Sequence, residues 1–206
     1  MIDFPPLDPG IEIVVASRGI SKGIAQTEGP QMVLRPSVQM GPFQVGAQWK
    51  NLSSAVAGGE AAPFVSVSPK IGKFQLGLGV AYKFQTGVHE PTDDKSWEFT
   101  SNVTRKFGNL GVRVGAIYSP DDLGGAKQSL YVDAGATLDF AKTWRVGAGI
   151  GRRERKNGDD YTSFVTGFGK TFFKGVTVDA RYYATNRSDL GDFYEDRVVV
   201  IGRVAL

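Results

Sequence analysis

Apolar and polar residues alternate with period two along nearly the whole chain, a pattern that predicts strands. Phe74, Leu76, Leu78, Val80, Tyr82 and Phe84 fall on one face, and Gln75, Gly77, Gly79, Ala81 and Lys83 on the other. A helix cannot segregate these sets, because successive side chains point to opposite faces only in a strand. The same parity recurs from Phe43 to Trp49, Leu110 to Tyr118, Leu130 to Phe140 and Val176 to Ala184. Twelve strands are expected, beginning near Ile11, Gln31, Phe43, Ala62, Lys73, Trp97, Leu110, Ser129, Trp144, Tyr161, Val176 and Asp196.

The connections alternate as well. Tight turns are expected at Gly41-Pro42, Ile71-Gly72, Gly108-Asn109, Ala141-Lys142 and Lys174-Gly175. Longer polar loops run from Ser21 to Gly29, Ser53 to Ala61, Thr86 to Asp94, Ser119 to Lys127, Lys156 to Asp160 and Asn186 to Asp192. A repeated hairpin with short turns at one end and long loops at the other is an up-and-down meander. An even strand count leaves both termini on the short-turn side. No loop reads as long enough to fold deeply inward, so selectivity is expected to reside in wall side chains.

The apolar face carries large aromatics near strand ends, among them Phe43, Trp49, Phe74, Phe84, Trp97, Phe107, Phe140, Trp144, Phe172 and Tyr182. Val, Leu, Ala and Ile fill the middles. Two aromatic girdles around an aliphatic band characterise an outer-membrane barrel. The opposite face carries Gly, Ser, Thr, Gln and charge, a poor core for a soluble barrel or sandwich, which is the competing architecture. Charges on the apolar face (Arg105, Arg152, Lys170) fall near strand ends, where they can snorkel to an interface. The fold expected is all-β: an up-and-down antiparallel transmembrane β-barrel of about twelve strands in the bacterial outer membrane.

Composition narrows the chemistry. The 206 residues fit a single domain, 1–206, with 1–9 expected as a periplasmic N-terminal extension. No run approaches the ~20 apolar residues of a membrane helix. Met1 to Pro6 shows no charged segment followed by an apolar one, so no signal peptide is read there, and an exported protein would carry this as its mature sequence. Cysteine is absent, which excludes disulfides, thiolate metal sites and thiol catalysis. A net charge of +3 is too balanced to argue for nucleic acid. The final strand alternates Val198, Val200, Gly202, Val204 and Leu206 outward, like the closing strand read by outer-membrane insertion machinery, with leucine where an aromatic is usual.

The stretch Ala16-Ser17-Arg18-Gly19-Ile20-Ser21 and its Gln/Glu/Gly-containing loop resemble the first hairpin of the TorF-type porins of proteobacteria. The run from Tyr161 to Tyr183, with its Gly-Lys-Thr-Phe turn and Asp-Ala-Arg-Tyr-Tyr strand, is similar to the same family. The likeness covers both ends of the chain and implies an outer-membrane barrel with a possible pore.

The candidate chemistry lies on the inward face. Parity assigns Arg18, Arg35, Lys50, Lys83, Lys106, Arg113, Arg145, Arg153, Arg181, Arg197 and Arg203 to the lumen, with Glu12, Glu98, Asp133, Asp139 and Asp179. The expected lumen charge is therefore about +6, and closure clusters Arg18, Arg35, Arg181, Arg197 and Arg203 on one wall. Unpaired charges in a dry interior are costly, so water is expected there, and fixed cations favour anions. The pore-lining set is Arg18, Arg35, Lys50, Lys83, Arg113, Asp133, Arg145, Arg181, Arg197 and Arg203, with Lys50 placed at the rim. Inward glycines (Gly77, Gly79, Gly111, Gly115, Gly135, Gly147, Gly149, Gly151, Gly167 and Gly169) either relieve strain in a curved wall or leave room for solute. Tyr131, Tyr161 and Tyr183 read as wall packing, and the acidic pairs Asp93-Asp94, Asp121-Asp122 and Asp159-Asp160 as solvated loop tips. The single histidine, His89, lies in a loop without a patterned serine, so no enzyme activity, cofactor or metal is expected.

Two functions are in play: passive diffusion of small, preferentially anionic solutes, or a non-conducting structural or anchoring barrel whose lumen ion pairs plug. Expected partners are outer-membrane lipid and lipopolysaccharide and small anionic or polar solutes. No nucleic acid partner is expected, and the identity of any protein partner is left open.

Overall fold

The computed structural model describes residues 5–53, 57–88 and 93–206. Twelve strands form the wall: β1 (Leu7–Ala16), β2 (Gln31–Met40), β3 (Phe43–Asn51), β4 (Ala57–Val67), β5 (Phe74–Val88), β6 (Lys95–Phe107), β7 (Leu110–Asp122), β8 (Lys127–Phe140), β9 (Trp144–Arg155), β10 (Tyr161–Phe173), β11 (Val176–Thr185) and β12 (Arg197–Ala205). Each pairs antiparallel with its sequence neighbour, and β1 pairs β12 in register from Glu12↔Ala205 to Ala16↔Ile201. The ring is closed. Closure satisfies every strand's backbone groups from both sides, which a sheet in hydrocarbon requires. The first strand begins at Leu7, so the last three residues of the stretch 1–9 belong to the wall.

The five tight turns lie where the sequence places them, and each has one residue in the left-handed region. Glycine supplies it in four (Gly41, Gly72, Gly108 and Gly175); in the fifth it is Ala141, with φ +45°. A left-handed conformation costs an L-residue roughly 1–2 kcal/mol, so Ala141→Gly should raise the unfolding midpoint in detergent. An unchanged midpoint would mean the flexibility glycine adds to the unfolded chain offsets that gain.

The exterior is apolar. Leu78, Val80, Val103, Val114, Val132, Val146, Ile150 and Val200 are exposed, with Phe43, Phe74, Phe107, Phe140, Trp144 and Phe172 towards the short-turn end and Trp97, Phe99 and Tyr182 towards the loops. Arg105 stacks over Phe74 and Phe107 at 5.0 and 4.4 Å, and Lys170 over Trp144 and Phe172 at 4.9 and 5.1 Å. The aromatic girdle thus holds two of the three outward cations, Arg105 and Lys170. Inside the barrel, buried polar residues outnumber buried apolar ones. Among the described residues, Ala16, Tyr183 and Val199 form a small apolar cluster, with Ile20, Val165 and Ile201 packed on it. An arginine at Leu78, on the lipid face, should cost roughly 2–4 kcal/mol of folding stability. Gly111→Ala, whose new methyl group has only the Thr137 carbonyl within reach at 3.8 Å, should cost far less. Equal losses in refolding titrations would invert the assigned faces.

Candidate functional site in the barrel lumen

The loop between β1 and β2 folds into the loop-side mouth. Ile20–Ser21 and Ile24–Ala25 pair as a miniature hairpin around Lys22 and Gly23, both at positive φ (52° and 84°). This is the two-residue turn that strand twist favours, and it places Lys22 at the very tip of a finger. Ile20 rests on the cluster at Ala16, Tyr183 and Val199. Thr27 is fully buried and holds the finger's base: its hydroxyl accepts from Gly19 N (2.7 Å) and donates to Gly29 O (2.6 Å).

The tip spans the barrel. Lys22 Nζ lies 2.9 Å from Glu98 on β6 and 3.7 Å from Asp122 at the end of β7. Tyr161 on β10 donates its hydroxyl to Lys22 O (2.8 Å), and Gly23 sits so close to Ser163 that any side chain there would collide with it. Lys50 on β3 donates to Gln26 Oε1 (2.7 Å). The expectation that no loop folds deeply inward is therefore overturned. A six-residue hairpin suffices, because its two central residues turn in place and every other residue adds reach.

Lys22 belongs to a chain of alternating charge. Lys50 pairs with Glu60 (3.1 Å), Glu60 with Lys83 (3.5 Å), Lys83 with Glu98 (3.4 Å), Glu98 with Lys22, Lys22 with Asp122, and Asp122 with Arg153 (2.5 Å). Ser129 also donates to Asp122 (2.6 Å). Four cations face three carboxylates, mostly buried. Burial holds the Lys22 ammonium's pKa below the ordinary lysine value; Glu98 opposes the shift and Lys83 adds to it. Its carboxylate partners thus do not fully repay its desolvation. Backbone and shape contacts must supply the rest of the finger's hold.

Three members of this chain, Lys22, Glu60 and Asp122, lie outside the set that parity assigns to the lumen. Glu60 was assigned to a loop, but β4 begins at Ala57 and turns it inward, nearly fully buried. Asp122 was read as a loop tip, but a bulge between Ser119 and Asp122 shifts the register by one residue and aims it into the lumen. With Lys22, Glu60 and Asp122 included, twelve cations face seven carboxylates, which corrects the lumen surplus to about +5. Lys50, expected at the rim, is buried in the chain.

The remaining predicted residues lie on the wall. Arg35 and Arg203 share Glu12, each at 2.9 Å, and Arg35 also donates to Gln48. Arg145 and Arg181 share Asp179 at 3.2 and 3.4 Å. Arg113 pairs with Asp133. These arginines are about a third exposed or more, so their forks keep donors free. Arg18 donates to Glu28 O (2.6 Å) and Arg197 to Glu195 O (2.8 Å) at the mouth, where neither has a carboxylate partner among the described residues.

Two cavities in the interior are lined by the described residues. The larger, about 580 Å³, is lined by Lys106, Arg113, Arg145, Arg181, Asp133, Asp179 and glycines 111, 135, 147, 149, 151, 167 and 169, and Gly23 of the finger borders it. The smaller, about 290 Å³, lies against Arg35, Gln44, Gln48, Lys50, Glu60, Lys83 and Glu98, with Ser21 at its border. Several glycines act as seats for neighbouring side chains: a methyl group at Gly151 would collide with Tyr131, and one at Gly169 with Asp179. Tyr131, Tyr161 and Tyr183 pack on the wall; Tyr161 is fully buried and meets Tyr194 edge-on at 5.3 Å. Asp160 is bound by Arg152 (3.3 Å) and by Arg155 N (2.9 Å), and Asp93 by Lys127 (3.8 Å). His89 lies outside the described residues.

The sequence profile of the bacterial family Gcw_chp, described as of unknown function, matches residues 61–202, more than two thirds of the chain. The chain belongs to the Gcw_chp family. No curated protein matches it. Among solved structures, this Gcw_chp barrel is similar to a KdgM porin at TM-score 0.67 and 10% identity, covering 95% of this chain and 98% of that one. A KdgM porin in complex with disordered oligogalacturonate matches at TM-score 0.64 and 10% identity, over 95% and 96%. The COG4313 outer membrane channel from Pseudomonas putida F1 matches at TM-score 0.56 and 11% identity, over 97% and 95%. These likenesses establish the architecture.

Proposed function

We propose that the protein is an outer-membrane, porin-like channel for passive diffusion of small solutes, leaning towards anions, of the kind the TorF-type resemblance implies. The observation that carries this reading is the larger cavity, where a glycine-rich wall leaves open space beside the partly exposed Arg113, Arg145 and Arg181. Two wall triplets, Arg145–Asp179–Arg181 and Arg35–Glu12–Arg203, each keep one positive charge in excess. A guanidinium is planar and always charged, so free edges of these forks replace part of a carboxylate's hydration. The oligogalacturonate bound to a KdgM porin is an acidic sugar chain, which supports an anionic solute for this lumen too. No step needs a cofactor or a catalytic group.

A second reading, a non-conducting structural barrel, is favoured by the finger and the charge chain that fill the loop-side mouth. Planar-bilayer recording separates the two. The channel reading expects discrete current steps and, in a potassium chloride gradient, a reversal potential showing chloride preference. A folded barrel without steps, or one that prefers potassium, would sink it.

A further inference from the structure

Both lumen cavities end on the same six-residue hairpin. Gly23 borders the larger and Ser21 the smaller, although the two lie on different walls. The finger touches β3 through Gln26, β6 and β7 through Lys22, β10 through Lys22 O and Gly23, and the β11–β12 cluster through Ile20. A solute moving between the cavities and the loop-side exterior must therefore pass this tip. The wall arginines stand in open space, whereas Lys22 is buried against the opposite wall.

We propose that Lys22, at the tip of the first-loop finger, is the specificity-determining residue of the channel: solutes pass beside this tip where it is anchored to Glu98, Asp122 and Ser163, so the tip sets both the size limit and the sign of charge admitted. This rests on the channel reading above. The seat layer holds one more cation than carboxylates, and that one is Lys22; without it the layer is neutral. A fixed charge acts most strongly where the passage is narrowest and driest. Lys22 should therefore outweigh any single wall arginine, even though the wall carries more charge in total.

Three variants test the assignment, with heat-modifiable gel mobility as the check on folding: Lys22→Ala, a shortened barrel with Gly-Gly in place of residues 20–25, and Arg113→Gln on the wall. The shortened barrel should show several-fold larger unit conductance and admit larger polyethylene glycols. Lys22→Ala should lose most of the chloride preference, and Arg113→Gln only a small part. A silent wild type beside a conducting shortened barrel would overturn the channel reading for the native protein, and the selectivity role of Lys22 with it. Equal steps from both folded barrels, or an unchanged reversal potential in Lys22→Ala, would overturn the finger's role and leave the channel standing. Silence from both would overturn the channel reading itself and the proposal with it. If the shortened barrel does not fold, Lys22→Cys supplies the only thiol in a cysteine-free chain. A bulky cationic methanethiosulfonate should then cut the current sharply, and an unaffected current would refute the placement.

Discussion

Glu60→Ala should be the most damaging single substitution in the lumen. Glu60 is nearly fully buried and lies between two equally buried lysines, Lys50 at 3.1 Å and Lys83 at 3.5 Å. Removing one partner of a buried pair leaves an uncompensated charge, typically at a cost of about 3–5 kcal/mol. Lys83 keeps Glu98 at 3.4 Å, but Lys50 is left with only the neutral Gln26 amide among the described residues. The loss should therefore be carried mainly by Lys50, and Lys50→Met added to Glu60→Ala should recover a good part of it. Urea titration of the refolded barrel in detergent measures both. A single mutant within about 0.5 kcal/mol of wild type, the ordinary scale of surface substitutions, would mean that water reaches this layer and the charges are not buried together.

Reversing Arg35 and Arg181 together should have the largest effect on ion selectivity that the wall can produce. Each Arg→Glu change removes two units of charge, so the pair takes the lumen surplus from about five to about one. Both side chains are partly exposed in a polar interior, where substitutions tune selectivity more than stability. Arg203 remains beside Glu12 and Arg145 beside Asp179, so the new carboxylates keep cationic neighbours. Chloride preference in a salt gradient should fall measurably while keeping its larger part. The remaining preference should be the share that Lys22 contributes at the finger. A double variant with the wild-type reversal potential would remove the wall arginines from the mechanism altogether.

The strand pattern was legible because its cause is local. Each strand has one face towards lipid and one towards the lumen, so the two-residue period survives in the sequence without knowledge of any partner. Strand number, the five tight turns, the outward aromatics and the inward positions of Arg35, Arg113, Arg145, Arg181 and Arg203 all follow from parity and turn chemistry. Where parity is interrupted, the reading fails. Asp122 follows a bulge, and one extra residue turns it from the expected solvated loop tip into the lumen. Glu60 follows Gly58 and Gly59, whose composition imitates a loop although the backbone there is a strand paired to β3 and β5.

The finger lay furthest beyond reach. Its turn has a local signature, two small paired segments around Lys22-Gly23, so its hairpin shape is determined by the sequence itself. Its direction is not. Whether such a hairpin stands in solvent or folds into the mouth depends on groups far along the chain: the Glu98 and Asp122 carboxylates, the Tyr161 hydroxyl, the Ser163 side chain against Gly23, and the apolar cluster under Ile20. The sequence by itself determined a closed, twelve-stranded barrel with a cationic interior, because alternation and turns are short-range properties. Only the tertiary structure decided which charges meet and where the passage narrows, because barrel closure brings together side chains up to 191 positions apart, as for Glu12 and Arg203.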